Sequence, residues 1–163
     1  MRPKKDLLRW LRILTSDDAY MSTVLRYGDW FFGRANVAEY EAAELWKSRR
    51  RPRAGHCFYN AQTYCIDHRE ATYWEGYFLI RGLPIHHGWV VMEDGRVVDF
   101  TIEAVIRKLI RERKPVDETI PLYLGINVPR PYIKERLRTG PSGKPLGQQF
   151  VDDHPNLKRR RSW

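Results

Sequence analysis

Two runs of aromatic and β-branched residues, Thr72-Tyr73-Trp74-Glu75-Gly76-Tyr77-Phe78-Leu79-Ile80 and Ile85-His86-His87-Gly88-Trp89-Val90-Val91, stand on either side of Arg81-Gly82-Leu83-Pro84. They are too short for helices and rich in residues that suit a pleated surface, so they read as paired strands over 72–80 and 85–91. A further turn at Glu93-Asp94-Gly95 leads into Arg96-Val97-Val98-Asp99 as a third strand. Such a meander must bury a face against something else. The segment before it supplies the partner. From Cys57, the residues Asn60, Ala61 and Tyr64 recur at three, four and seven positions, which is one face of a helix, and Gly55 breaks the chain before its first turn.

The second turn decides which histidine meets Asp99. A two-residue Asp94-Gly95 turn sets Val90 opposite Asp99 and puts His86 on the face of Asp99. A three-residue loop with Gly95 in the left-handed conformation shifts the register by one. Trp89 then lies opposite Asp99, and His87 becomes its diagonal neighbour, roughly 7 to 8 Å away at the backbone. Both registers are open to the sequence. The three-residue loop is adopted because it turns Ile85, His87, Trp89 and Val91 inward.

Cys57, His87 and Asp99, in that order within 43 residues, supply a nucleophile, a base and an orienting carboxylate, the minimum set for acyl transfer at a thiol. At a helix N-terminus the unpaired N–H groups and the positive end of the dipole favour an anion, so the Cys57 thiol pKa is expected to fall. Taken singly, a cysteine is most often a small buried hydrophobe and a histidine beside tryptophan a core residue. The ordered triple in its helix and strand setting is what marks a candidate site. Cys65 reads as core, and His56 and His68 as surface or helix-end residues. No Cys or His pair has the spacing of a structural zinc site, and neither a metal nor a cofactor is expected.

Gly55-x-Cys57 opening a helix, His87-Gly88-Trp89 on a strand, then a turn and Asp99-x-Thr101 ending the next strand resembles the transglutaminase-like branch of the papain-like cysteine enzymes. The likeness covers residues 55 to 101, with Tyr123-Leu124-Gly125-Ile126 echoing a further strand. It implies a papain-like or transglutaminase-like α+β core, with an antiparallel sheet packed against the nucleophile helix and N-terminal helices. It also implies that Cys57 attacks a carbonyl, His87 takes the thiol proton and Asp99 holds the imidazole tautomer. That group includes peptidases, amidases, deamidases, transglutaminases and N-acetyltransferases. The implied activity is therefore that of a cysteine hydrolase or acyltransferase, acting on an amide, ester or thioester of a protein or small-molecule acyl substrate through a Cys57 thioester. The Cys57 backbone N–H is one candidate oxyanion donor, with Asn60 and Trp89 as candidate supports.

Elsewhere the chain reads as helical at first. Leu7, Leu8, Leu11 and Leu14 form an apolar face, Ser16-Asp17-Asp18 stops that helix and caps a new one, and Asn36 caps a helix carrying Ala38, Ala42, Leu45 and Trp46. After the third strand, Thr101 caps a helix with Ile102, Val105, Ile106 and Leu109, limited by Pro115. With 163 residues, 42% of them hydrophobic and 13% aromatic, the chain suits one domain with a sizeable core, placed at residues 1–139. Residues 140–163, rich in Gly, Pro and Ser and ending in a basic run, read as an extended or mobile tail with a short piece docked on the core.

Two cysteines about two turns apart on one helix are too distant to bridge, so a reduced, cytoplasmic protein is expected. Charges interrupt Leu7-Leu8-Arg9-Trp10-Leu11-Arg12, which argues against a signal peptide or a membrane span. The net charge of +9 draws on Lys47, Arg49, Arg50, Arg51 and Arg53 and on Lys158, Arg159, Arg160 and Arg161. Runs of this kind track phosphates or solvate a surface. They frame the alternative reading, a non-catalytic basic binding or inhibitory protein that engages nucleic acid or an acidic protein partner. No helix-turn-helix, zinc-finger or RNA-recognition motif accompanies them.

Overall fold

The structure, a computed structural model, describes residues 8–9, 13, 19–35, 51–80, 83–116, 121–140 and 143–155. Their elements are α1 (Ala19–Tyr27), β1 (Asp29–Phe32), α2 (Cys57–Asp67), β2 (Ala71–Ile80), β3 (Leu83–Met92), β4 (Val97–Val98), α3 (Phe100–Arg111), β5 (Leu122–Val128), α4 (Arg130–Thr139) and α5 (Gly147–Asp153). The five strands form one sheet in the order β1-β5-β2-β3-β4, with every neighbouring pair antiparallel. The chain is an α+β fold.

The two long strands lie where the aromatic runs predict them, and the second turn has the three-residue form. Met92 N–H donates to Arg96 O, and Gly95 takes a φ of +79°, which only glycine adopts without strain. Val90 therefore pairs with Val98 and Val91 with Val97. The next step of that ladder would set Trp89 against Asp99.

Alternation sorts the strand side chains onto two faces. Tyr73, Tyr77, Val90, Val98, Leu124 and Val128 pack with α1, α2 and α5 in the larger core. Phe78, Trp89, Val91, Val97 and Tyr123 form a smaller cluster on the other face, joined by Phe31, Trp74 and Ile102. Trp89 reaches across the sheet as far as Gly125, where an added Cβ would lie 2.4 Å from its Cη2. A bare backbone at Gly125 is what leaves room for that indole.

Several expectations need correction. Ile85 shares the face of His87 but is not buried: it is 47% exposed, toward the end of β3 where Leu83 is also exposed. Thr101 is not the cap of α3. That place belongs to Asp99, whose Oδ1 accepts from Thr101 N–H and Ile102 N–H. Within the residues read as a tail, the piece expected to dock on the core lies at 146–153, and it is a helix with its own buried residues, not an extended segment. Gly147–Asp153 is helical, and Leu146, Phe150 and Val151 are buried in the larger core.

Of the predicted N-terminal helices, Leu8 falls within a described helical pair and is half-buried. Leu7, Leu11, Leu14 and the 38–46 helix lie outside the described residues. The described N-terminal helix is α1, which buries Tyr20 and Val24 against the sheet. Among the described residues, no helix is long and apolar enough to cross a membrane.

Candidate active site

Position 87 faces the smaller cluster because β3 alternates, and Asp99 follows β4 directly at the start of α3. The two side chains meet: His87 Nε2 lies 2.8 Å from Asp99 Oδ2, with both residues buried. Tyr123, fully buried on β5, donates its phenolic O–H to the same oxygen at 3.0 Å. Asp99 thus serves twice. One carboxylate oxygen caps α3 through two backbone N–H groups, and the other receives the imidazole and the phenol. Four donors and a helix N-terminus make the anion the stable form there.

The protonation of this group follows from its surroundings. Burial is the largest influence on His87 and lowers its pKa. The charge and hydrogen bond of Asp99, joined by those of the Cys57 side chain, outweigh burial and raise it to about 10. For Asp99 burial is again largest and acts upward, but His87, the Ile102 N–H and Tyr123 together hold the carboxyl below its ordinary value. Tyr123 is pushed well above the phenol range, by burial first and then by the Asp99 charge. The ring therefore keeps its proton against a fixed carboxylate.

Cys57 opens α2 and is partly buried, and its side chain acts on the same ring in the direction that holds a proton there. His87 uses Nε2 for Asp99, so its Nδ1 is the ring nitrogen not engaged by that carboxylate. The two helices of the site begin differently. Asp99 caps α3 through its side chain, whereas His56, preceding Cys57, makes no side-chain capping bond. First-turn N–H groups without a cap are donors suited to an anion.

Asn60 is committed elsewhere. Its Nδ2 donates to Arg53 O at 2.8 Å and to Thr101 Oγ1 at 2.7 Å, and its Oδ1 accepts from Arg53 N–H. With both amide protons used, it ties the loop before Cys57 to α3 instead of facing an oxyanion. Trp89 is a wall behind the imidazole, the rings inclined by 15° with centroids 6.5 Å apart. Its indole N–H has no hydrogen-bond partner among the described residues.

Cys65 is core, as expected, and burial pushes its thiol far above the ordinary range. His56 and His68 flank α2 at its two ends. Arg51 and Arg53 are exposed. Lys47, Arg49, Arg50, Lys158, Arg159, Arg160 and Arg161 lie outside the described residues. Among the described residues, no group of three or more His, Cys, Asp or Glu side chains is placed to hold a metal ion.

Sequence reasoning misses two partners. Tyr123 reads only as part of a strand, and nothing local distinguishes an aromatic that donates a hydrogen bond from one that only packs. Glu75 is hidden inside an apolar strand, although a carboxylate on the buried face of a strand is itself a signal. Its Oε1 lies 3.0 Å from His86 Nε2, so each of the adjacent histidines has its own carboxylate, on opposite faces of the sheet. A scan against protein-family models found no match, and neither a search of curated proteins nor a search of solved structures returned one.

Proposed function

We propose that this chain is a thiol-dependent acyl-transfer enzyme, a hydrolase or acyltransferase of transglutaminase-like or papain-like type, with Cys57 as nucleophile, His87 as base and Asp99 as the group that orients the imidazole. The observation that supports it most is the buried His87–Asp99 bond at 2.8 Å together with the action of the Cys57 side chain on that ring. A buried imidazole bound to a four-times-satisfied carboxylate has one orientation, and when it gives up a proton the nitrogen facing Asp99 keeps its own. Catalysis at a thiol needs both fixed.

In the proposed cycle, His87 holds the proton taken from the Cys57 thiol before attack, and the Cys57 thiolate sulfur attacks the carbonyl carbon of an amide, ester or thioester. The tetrahedral oxyanion forms beside the first-turn N–H groups of α2. Collapse breaks the bond to the leaving group, which departs with the proton from His87, and a thioester remains on Cys57. Water or an amine then attacks that thioester, giving up a proton to His87, and the thiol is restored as the C–S bond breaks.

The test uses p-nitrophenyl acetate as a generic acyl donor. Wild type should release p-nitrophenolate in a burst and carry the acetyl group on Cys57 by mass spectrometry. Cys57→Ser and His87→Gln should abolish or greatly slow the burst. Acetylation of wild type no faster at Cys57 than at an unfolded thiol would overturn the reading and leave the basic binding protein as the surviving one.

A further inference from the structure

The face of β3 opposite His87 carries a second polar system. The Glu75 side chain is fully buried, and its Oε2 accepts from Tyr73 O–H at 2.6 Å and from Leu146 N–H at 2.7 Å, while Oε1 meets His86. Tyr73 O–H in turn accepts from Gln62 Nε2 at 3.3 Å. Gln62, also fully buried, lies on α2 five residues after Cys57. Its amide donates to Lys144 O at 2.7 Å and accepts from Gly143 N–H at 3.2 Å.

The same segment touches the first turn of α2. A Cβ at Gly143, whose φ is +85°, would lie 3.0 Å from Tyr59 Cβ. The Phe58 ring sits edge-on to His86, with centroids 5.1 Å apart. One connected polar chain therefore runs from β3 through β2 to the helix that begins with Cys57, and residues 143–146 close it from outside. Well-packed apolar residues stabilise a core at least as well as a buried ion pair does. What a fully satisfied network adds is a single arrangement of the elements it joins.

We propose that Glu75 is a positioning residue for Cys57. It clasps the segment 143–146 and, through Tyr73 and Gln62, sets the placement of the Cys57 helix against the strand that bears His87. This rests on the reading of Cys57 as the nucleophile.

Two variants test it, Glu75→Gln and Tyr73→Phe, each checked for folding by circular dichroism. Gln replaces the charged carboxylate with a neutral amide whose oxygen accepts more weakly from the Tyr73 O–H and the Leu146 N–H. Phe keeps the ring and removes only the link between Glu75 and Gln62. The readouts are hydrogen exchange at the Leu146 amide and the pH–rate profile of Cys57 alkylation by iodoacetamide, with Cys65 as internal control.

In Glu75→Gln the Leu146 amide should exchange faster, and the Cys57 rate should fall by about tenfold with a displaced profile, since a small misplacement of a reacting group has effects of this order. In Tyr73→Phe the Cys57 profile should move in the same direction while Leu146 stays protected. Folded variants whose Cys57 profiles superimpose on wild type overturn the proposal, and Tyr73→Phe decides alone where Glu75→Gln does not fold. Failure of the enzyme reading shows separately, as an unchanged Cys57 profile in His87→Gln. The ratio of variant to wild-type rates still reports helix placement in that case, because any thiol reacts according to its exposure and surroundings.

Discussion

Replacing Asp99 by Asn tests the centre of the site with the least change of shape. Asn caps helices as well as Asp does, so its carbonyl oxygen can keep the Thr101 and Ile102 N–H groups. The N–H₂ group then faces His87 and Tyr123, where the structure has an acceptor. The rise of His87 from 6.5 to about 10 corresponds to about 5 kcal/mol favouring the protonated ring in the folded state. Removing one partner of a buried pair typically costs about 3 to 5 kcal/mol, so a loss in that range is expected in urea unfolding near neutral pH.

The pH dependence has a defined sign. The His87 pKa is raised on folding, so its contribution is complete below about 6.5 and is lost as pH rises through about 10. The Asp99 pKa is depressed, so its contribution is present above its ordinary value of 3.8 and is lost as pH falls below it. The stability gap between wild type and Asp99→Asn should therefore be widest from mildly acid pH to about 6.5 and should narrow above about 10, where the unmatched Tyr123 O–H still separates the two. In the burst assay the N–H₂ group forces the imidazole proton onto Nδ1, and the acylation rate should fall on the order of 10⁴-fold. A gap that stays constant from neutral pH to above the His87 transition would refute the ion-pair reasoning.

Three further outcomes are expected. In the folded protein iodoacetamide should modify Cys57 and spare Cys65, which is 1% exposed with its thiol pushed up by burial; equal rates at the two thiols would contradict the core assignment. Gly125→Ala sets a methyl group 2.4 Å from Trp89 Cη2 and 2.6 Å from Glu75 O. It should destabilise by about 1 to 3 kcal/mol or more, read as a lowered Tm with altered Trp fluorescence, and an unchanged Tm would mean that the indole does not lie across that strand. If the basic clusters bind nucleic acid, changing Arg49, Arg50 and Arg51 to Ala should flatten the salt dependence by about one unit of slope for each phosphate no longer neutralised. No binding at low salt would leave the positive charge to solvation or to an acidic protein partner.

Local pattern was sufficient wherever period and turn chemistry act over a few residues. The alternation of 72–80 and 85–91 specifies β2 and β3, and the spacing from Cys57 to Tyr64 specifies α2; Glu93-Asp94-Gly95 specifies a turn but leaves two registers, and the structure chooses the one that brings His87 to Asp99. The strand, helix and turn signals are written in adjacent residues, so no knowledge of the rest of the chain is needed to read them. Capping was less legible. Asp99 and Thr101 are both good N-caps, and the choice between them depends on where β4 ends and on His87 and Tyr123 claiming the free carboxylate oxygen.

What only the tertiary structure decided are the meetings of residues far apart in sequence. Tyr123 reaches Asp99 across 24 residues, Glu75 reaches Leu146 across 71, and Gln62 reaches Lys144 across 82. The Gly- and Pro-rich stretch after 139 has no apolar period, and it reads as a tail until the buried Glu75 and Gln62 are seen to need its backbone N–H and C=O groups. A polar group inside a core must find partners, but its own sequence neighbourhood does not say where they lie.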